Sequence, residues 1–150
     1  MITIPTTQLQ FRQTAEGQQV FDIVRKKYVF FTPEEFVRQQ LIHYLVEHRG
    51  YPKSLLSIEK QLTVNTMTRR ADLVAYDRDG RPFLIAECKS PDVPVTQKTF
   101  AQAANYNMTL RVEYLLITNG QHTYCCRIDF ENERYEFVEE VPEWQESYVR

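Results

Sequence analysis

The sequence is short of cysteine and of long apolar runs, and each shortage excludes a class of protein. Its three cysteines, two of them adjacent, form no Cys-x-x-Cys spacing, which argues against a disulfide framework and a zinc site. The three histidines show no ligand grouping. No apolar stretch approaches the ~18 residues of a membrane-spanning helix, and the first residues lack a basic region followed by an apolar run. We therefore expect a reducing, cytoplasmic location without membrane contact.

The composition is that of one ordinary globular domain, with 150 residues, 43% of them hydrophobic and 25% charged. The formal net charge of −2 hides an asymmetry. Residues 131–150 contain seven Glu and two Arg, a charge of −5, which leaves +3 on residues 1–130. We predict a single domain over residues 1–150, with an accessory hairpin in 1–24, a core over about 25–130, and an acidic C-terminal strand and tail in 131–150.

A central hairpin is predicted where two apolar runs flank Asp79-Gly80, a strong signal for a two-residue type I′ turn. With these turn residues, Asp72 faces Glu87 across the ladder, and Lys89 lies two residues further on the same face. Like charges directly opposite destabilise a sheet, and carboxylates among apolar residues are costly to desolvate. A divalent cation would compensate, since Mg²⁺ is typically bound by one or two carboxylates plus waters.

The competing interpretation of this hairpin is a structural salt cluster without a metal. In it Arg70 faces Lys89, so that the diagonals Asp72–Lys89 and Arg70–Glu87 pair opposite charges. We favour the metal site, because charges embedded in apolar strands concentrate at functional sites. A bulge at Gly80 would shift the register on which both interpretations depend.

Turn signals and periodicity place the other elements around this hairpin. Thr32-Pro33-Glu34-Glu35 predicts a helix start with Thr as N-cap, Pro at the first position and Glu35 completing a capping box. A second helix is expected from about Thr96 to Leu110, and on the strand at 55–64 we expect one face to carry Leu56, Ile58, Leu62 and Val64. The other strands are expected near 8–13, 20–24, 114–118, 123–129 and 134–140. This order predicts a mixed α/β (α+β) fold, with a central mixed sheet flanked by two helices and an N-terminal hairpin.

Three short motifs carry a resemblance to a known family. They are Ala71-Asp72-Leu73-Val74, Glu87-Cys88-Lys89 and the helical Gln102-Ala103-Ala104-Asn105-Tyr106, and the entry to the first helix is also similar. Over roughly residues 25–130 the sequence resembles the PD-(D/E)XK nuclease superfamily, with its restriction-endonuclease-like core. Within it, the sequence is similar to the N-terminal nuclease domain of type I restriction enzyme R subunits.

The sequence also departs from this family pattern. The Pro that names the superfamily is absent, because Ala71 precedes Asp72. There is no Gly-x-x-x-x-Gly-Lys loop and no room for motor domains. We therefore expect a stand-alone nuclease domain, or one part of an assembly whose other chains are encoded separately.

The resemblance implies a metal-dependent endonuclease of restriction or repair type that hydrolyses DNA phosphodiesters. Asp72, Glu87 and the backbone carbonyl of Cys88 would hold Mg²⁺, with Mn²⁺ as a substitute metal. Lys89 would position the attacking water or neutralise charge on the phosphate. The implied partners are DNA and separately encoded translocase, methyltransferase or specificity subunits.

Five further residues have two interpretations each. Gln102 and Tyr106 would orient Lys89 or the phosphate, or serve only in packing. Glu35 would be an extra catalytic metal ligand, but the capping box already explains it and we favour the cap. Arg69 and Arg70 would contact phosphates or balance the carboxylates. The alternative function is a non-catalytic nucleic-acid- or protein-binding module on the same fold, although retained Asp, Glu and Lys residues argue against it.

Overall fold

The structure is a computed structural model that describes residues 1–144, apart from the side chain of Val64. It contains nine strands and two helices within that range, with a short 3₁₀ turn at Lys53–Leu55. In chain order they are β1 (Phe11–Thr14), β2 (Gly17–Asp22), β3 (Lys27–Phe30), α1 (Pro33–His48), β4 (Leu56–Val64), β5 (Met67–Tyr76), β6 (Pro82–Cys88), α2 (Gln97–Leu110), β7 (Tyr114–Thr118), β8 (Thr123–Asp129) and β9 (Arg134–Val138).

A six-stranded mixed sheet forms the centre of the molecule, with the strands in the order β4-β5-β6-β7-β8-β9. Only β6 and β7 are parallel, and α2 is the crossover that joins them. Helix α1 packs on one face of the sheet through Val37, Leu41 and Leu45, and α2 packs on the other through Phe100 and Ala104. The predicted fold class, a central mixed sheet flanked by two helices, is confirmed. Neither helix is long and apolar enough to cross a membrane.

The N-terminal hairpin is the first element that differs from the prediction. Strands β1 and β2 pair as expected, but β3 adds a third antiparallel strand, so this separate sheet extends beyond residue 24. It is also more closely packed with the rest of the protein than predicted. Asp22, at the end of β2, is fully buried and hydrogen-bonds to Gln39 of α1. The predicted acidic tail lies partly outside the described residues, since 145–150 are not among them.

The start of α1 follows the predicted cap only in part. Thr32 accepts the backbone N–H of Glu35 at 3.0 Å, and Pro33 occupies the first helical position. A capping box also requires the Glu35 carboxylate to return to the backbone N–H of Thr32. Among the described residues it binds Arg25, Arg38 and Gln39 instead, so our preference for the capping box was wrong.

The turn of the central hairpin is not the predicted two-residue type I′ turn. Such a turn needs a positive φ at both central residues, whereas only Gly80, with φ +79°, has one. The Gly80 N–H donates to Asp77, and a bulge follows between Ala75 and Tyr76. The larger loop and the bulge shift the register by one residue in opposite directions. The ladder therefore still runs Leu73↔Ala86, Val74↔Ile85 and Ala75↔Leu84, the predicted register.

The segment after β9 closes the end of the α1 layer. Val141 is fully buried, and the carbonyl of Pro142 accepts the Tyr51 hydroxyl at 2.7 Å. The backbone N–H of Trp144 donates to the carbonyl of Arg49, and its indole N–H donates to the carbonyl of Tyr76. One short segment thus joins the end of α1 to the end of β5.

Candidate functional site

Asp72 lies where the pairing between β5 and β6 stops. The last ladder pair is Leu73↔Ala86, and the same register places Asp72 across from Glu87. Instead of a backbone pair, the Asp72 carboxylate accepts the backbone N–H of Cys88 at 2.7 Å. A side-chain oxygen thus takes the place of a ladder carbonyl, and the two strands separate beside it.

The alternation of faces along β5 inverts at the same point. Leu73 and Ala75 pack in the α1 layer, whereas Ala71 and Val74 pack together on the opposite face, near the end of α2. Residues three apart in a regular strand point to opposite faces, so one residue between them breaks the alternation. The alternation breaks at Asp72 or at a residue next to it, and the Asp72 carboxylate points towards α1.

Strand β4 inverts in step with β5. Leu56 and Ile58 pack in the α1 layer, and Leu62 packs on the other face, so the predicted single apolar face of β4 is wrong. Glu59 lies between the pairs Ile58↔Leu73 and Lys60↔Ala71, opposite Asp72, with a φ of +55°. A left-handed residue within a strand reverses its alternation, and for a residue other than glycine it is strained.

The Asp72 carboxylate is incompletely compensated. Its side chain is 25% exposed, and the nearest guanidinium atom, Arg38 Nη1, is 3.4 Å from Oδ1. Burial raises the pKa of Asp72, and the negative charge of Glu87 adds to the rise. The Cys88 N–H, Arg38 and Lys89 act in the opposite direction without cancelling it. Asp72 is therefore a carboxylate whose ionised form needs more positive charge than its neighbours supply.

Glu87 is held from the α2 layer. It follows the alternation of Ile85, away from Leu84, Ala86 and Cys88, which pack with α1. Its Oε1 is 2.5 Å from Nη2 of Arg69, a residue that is only 8% exposed. Arg69 in turn donates to Oδ1 of Asn107 and to the carbonyl of Ala103, and its guanidinium lies 5.2 Å from the ring of Tyr106. The two carboxylates are near enough to interact, but their partners come from opposite layers.

The predicted salt cluster therefore named the wrong arginine as the partner of Glu87. Glu87 pairs with Arg69, not Arg70, because the inversion at Asp72 turns Arg69 to the face of Glu87. Arg70 is exposed and pairs with Glu59 at 3.1 Å. Arg69 balances a carboxylate, which was one of its two predicted roles.

Glu35 is the centre of a second, denser ionic cluster beside Asp72. Its oxygens accept hydrogen bonds from Arg38 at 2.6 and 2.9 Å, from Gln39 at 3.0 Å and from Arg25 at 3.2 Å. Burial works to raise the pKa of Glu35, but the hydrogen bonds from Arg38 and Gln39 outweigh it and hold the pKa below its ordinary value. Arg38 joins this cluster to Asp72.

The remaining predicted residues are at the edge of the site. Lys89 is half-buried, and no side chain within residues 1–144 forms a hydrogen bond or ion pair with its ammonium group. Tyr106 is 37% exposed and reaches Glu87 only through Arg69. Gln102 is exposed on α2, one turn from Tyr106.

Five residues of the site were not predicted as such: Asp22, Arg25, Arg38, Glu59 and Asn107. Arg25, in the turn between β2 and β3, binds both Asp22 and Glu35. The spacing of Glu35 and Arg38, three residues apart on a helix, is a signal for an ion pair that the sequence did carry. The contacts of Asp22 with Gln39, of Glu59 with Arg25 and of Asn107 with Arg69 span 17, 34 and 38 residues, and the sequence holds no local signal for them.

The side chains around Asp72 fit Mg²⁺ in the type of donor they offer. Two carboxylates are oxygen ligands of the kind that Mg²⁺ takes, with waters completing its shell. The shortage of positive charge at Asp72 is also what a bound cation would correct. Within residues 1–144 no group of three or more His, Cys, Asp or Glu side chains is arranged as a metal site, so the protein would supply few ligands.

The family comparison identifies this fold, a mixed sheet between two helices, as a restriction-enzyme nuclease-type domain. The family profile described as "Type I restriction enzyme R protein N terminus" matches residues 33–142. The chain belongs to this family.

Solved structures and curated proteins add less. The chain is similar to a fragment of a putative HsdR subunit of a type I restriction enzyme from Vibrio vulnificus YJ016, with 19% sequence identity and a TM-score of 0.47. That match covers 67% of this chain and 22% of the HsdR chain. No curated protein matches the sequence significantly.

Proposed function

We propose that the protein is a Mg²⁺-dependent nuclease that hydrolyses phosphodiester bonds of DNA. One observation carries the proposal: in a chain of the R-subunit N-terminus family, Asp72 and Glu87 are opposite in the register of β5 and β6, two residues from Lys89, and are near enough for the charge of Glu87 to act on Asp72. The raised pKa of Asp72 supports it, because perturbed carboxylates concentrate at functional sites.

Asp72, Glu87 and the backbone carbonyl of Cys88 would hold the metal. Bound Mg²⁺ would supply a Lewis acid for the phosphodiester and would lower the pKa of a coordinated water. Arg69 of β5, which is itself hydrogen-bonded to α2, keeps Glu87 in place. The Cys88 N–H fixes one oxygen of Asp72. Within residues 1–144 the other oxygen of Asp72 accepts one long hydrogen bond, from Arg38 at 3.4 Å, so it is the more available of the two.

Lys89 would act on the phosphate. Its ammonium has no ion pair within residues 1–144, so its charge is available to a substrate oxygen or to the attacking water. Because that charge acts on groups that become more negative during the reaction, it would stabilise the transition state more than the ground state.

Lys89→Ala tests the proposal. We expect Mg²⁺-dependent cleavage of single- and double-stranded DNA to fall by at least ~10²-fold, with an unchanged far-ultraviolet circular dichroism spectrum. Lys98→Ala, at an exposed lysine of α2, is the matched control and should cleave like wild type. Undiminished cleavage by a folded Lys89→Ala protein would remove Lys89 from the mechanism.

A second candidate is a non-catalytic nucleic-acid-binding module. Two observations favour it, since Glu87 is already paired with Arg69 and Asp72 has Arg38 nearby. This candidate predicts DNA binding that is indifferent to Mg²⁺ and no cleavage by wild type in Mg²⁺ or Mn²⁺. Cleavage that chelator abolishes would exclude it.

A further inference from the structure

Three arginines from three different elements converge on the carboxylate of Glu59. Arg70 of β5 is 3.1 Å away, Arg38 of α1 is 3.4 Å away, and Arg25, which follows β2, is 3.8 Å away. Each contact joins one guanidinium nitrogen to one oxygen, two of them at 3.4 Å or more, and the Glu59 side chain is 40% exposed. Ion pairs of this kind contribute little stability, so the carboxylate can leave at small cost.

The backbone of Glu59 supports the same conclusion. Its φ of +55° lies in the left-handed region, and its place opposite Asp72 has no ladder pair. Left-handed residues other than glycine are costly within a strand and persist mostly where function requires them. Packing does not explain the conformation, because the side chain is neither buried nor apolar.

We propose that Glu59 occupies a phosphate-binding site formed by Arg25, Arg38 and Arg70, and that a phosphodiester group of a nucleic acid displaces it. A carboxylate and a phosphodiester carry the same charge, so the exchange leaves the cluster balanced. Guanidinium groups bind phosphate oxygens in a bidentate manner that the single contacts of Glu59 do not use. This inference rests on the proposed function, because it places part of the nuclease's substrate.

The position of this arginine site matches the proposed chemistry. Arg38 contacts both Glu59 and Asp72, at 3.4 Å each. A phosphate in place of Glu59 would therefore lie one guanidinium away from the candidate metal ligand. Arg25 and Arg38 are themselves held by Glu35, so the arginine site is built before any ligand arrives.

The test is the affinity for a short fluorescein-labelled DNA duplex, measured by fluorescence anisotropy in chelator so that no cleavage occurs. Glu59→Gln should bind at least about threefold more tightly than wild type at low salt, because the internal competitor is gone. Glu59→Gly, which suits the left-handed backbone, should do the same if Glu59→Gln is poorly folded.

Glu133→Gln is the matched control. Glu133 is also a glutamate with a positive φ, 51°, but it is exposed in the turn between β8 and β9, at the other end of the sheet. Its neutralisation changes the net charge equally and should leave the affinity near that of wild type. Adding Arg70→Gln to Glu59→Gln should abolish the gain and reduce the slope of log affinity against log salt by about one.

Three results would overturn the inference. Glu59→Gln and Glu133→Gln could bind DNA with equal affinity, or no variant could bind DNA. Inorganic phosphate alone could also stabilise Glu59→Gln as much as the duplex does. The cleavage assay separates this failure from failure of the proposed function. Wild-type cleavage without a gain in Glu59→Gln removes only the arginine site. A gain in affinity without any cleavage keeps the arginine site and removes the nuclease.

Discussion

Glu35 and Asp72 flank the same guanidinium, that of Arg38, but their pKa values shift in opposite directions. Burial opposes the ionisation of both. At Glu35 the hydrogen bonds from Arg38 and Gln39 outweigh burial, and the pKa is lowered. At Asp72 burial dominates over the Cys88 N–H and the more distant contact with Arg38, and the pKa is raised.

The difference separates a carboxylate that organises the structure from one whose charge is only partly offset by its neighbours. Glu35 is 7% exposed and has three side-chain donors, so it has little reason to bind anything else. Asp72 is 25% exposed, and the positive charges of Arg38 and Lys89 do not offset its burial. On electrostatic grounds Asp72 is therefore a stronger candidate for a metal ligand than Glu35, for which we favoured the cap.

The largest expected effect comes from Glu35→Ala. This change leaves Arg25 and Arg38 without their shared partner in a buried cluster, and breaking such pairs costs about 3–5 kcal/mol. We expect a loss of unfolding free energy of that order, measured by urea denaturation. Glu47→Ala, on the exposed side of the same helix, should have a much smaller effect. A loss of only ~1 kcal/mol would show that the ionic cluster around Glu35 contributes little to stability.

The stabilisation of the protein by Mg²⁺ should depend on Asp72. Wild type should gain about 2.7 kcal/mol of stability at a Mg²⁺ concentration a hundredfold above Kd, and Asp72→Asn should gain much less. Thermal melts with Mg²⁺ and with chelator measure both. A wild type that melts identically in Mg²⁺, Mn²⁺ and chelator would contradict the metal site.

Without metal, Asp72→Asn should leave stability unchanged or raise it by up to ~1 kcal/mol. The asparagine can still accept the Cys88 N–H, while the unfavourable charge is removed. Melts in chelator are the measurement. A lower melting temperature for the variant would show that Asp72 is a structural ion-pair partner like Glu35.

The smallest effect is in the pH dependence, and its sign differs between the two residues. The lowered pKa of Glu35 contributes stability above its ordinary value of 4.5, which is lost as pH falls through the lowered value. The raised pKa of Asp72 contributes stability below its ordinary value of 3.8, which is lost as pH rises through the raised value. The deficit of Glu35→Gln should therefore shrink below pH 4.5, and the advantage of Asp72→Asn should grow as the pH rises above 3.8. Denaturation curves across that range check both slopes.

The sequence predicted the elements of the fold because their local signals are strong. The strands Tyr114–Thr118 and Thr123–Asp129 match the structure residue for residue, and Thr32 caps α1 as predicted. The register of the central hairpin was also right, but for an incomplete reason. The wider turn and the bulge after Ala75 cancel, and a sequence pattern cannot reveal either offset when their sum is zero.

The partners of the site were harder to predict than its carboxylates. The left-handed residue at position 59 is a glutamate, whereas sequence patterns lead us to expect glycine in that conformation. The inversion of β4 and β5 was missed for this reason, and with it the pairing of Glu87 with Arg69 rather than Arg70. Arg38 was missed because its contact with Asp72 spans 34 residues.

The segment that joins α1 to β5 also provides a spectroscopic reporter. Trp144 is the only tryptophan in the chain, and its two N–H groups bond to Arg49 and Tyr76. Its fluorescence therefore reports whether the contacts of this segment with α1 and β5 are intact, while far-ultraviolet circular dichroism reports the helices and strands. Coincident unfolding curves from the two signals would indicate one cooperative unit. An earlier fluorescence transition would show that these contacts break before the sheet unfolds.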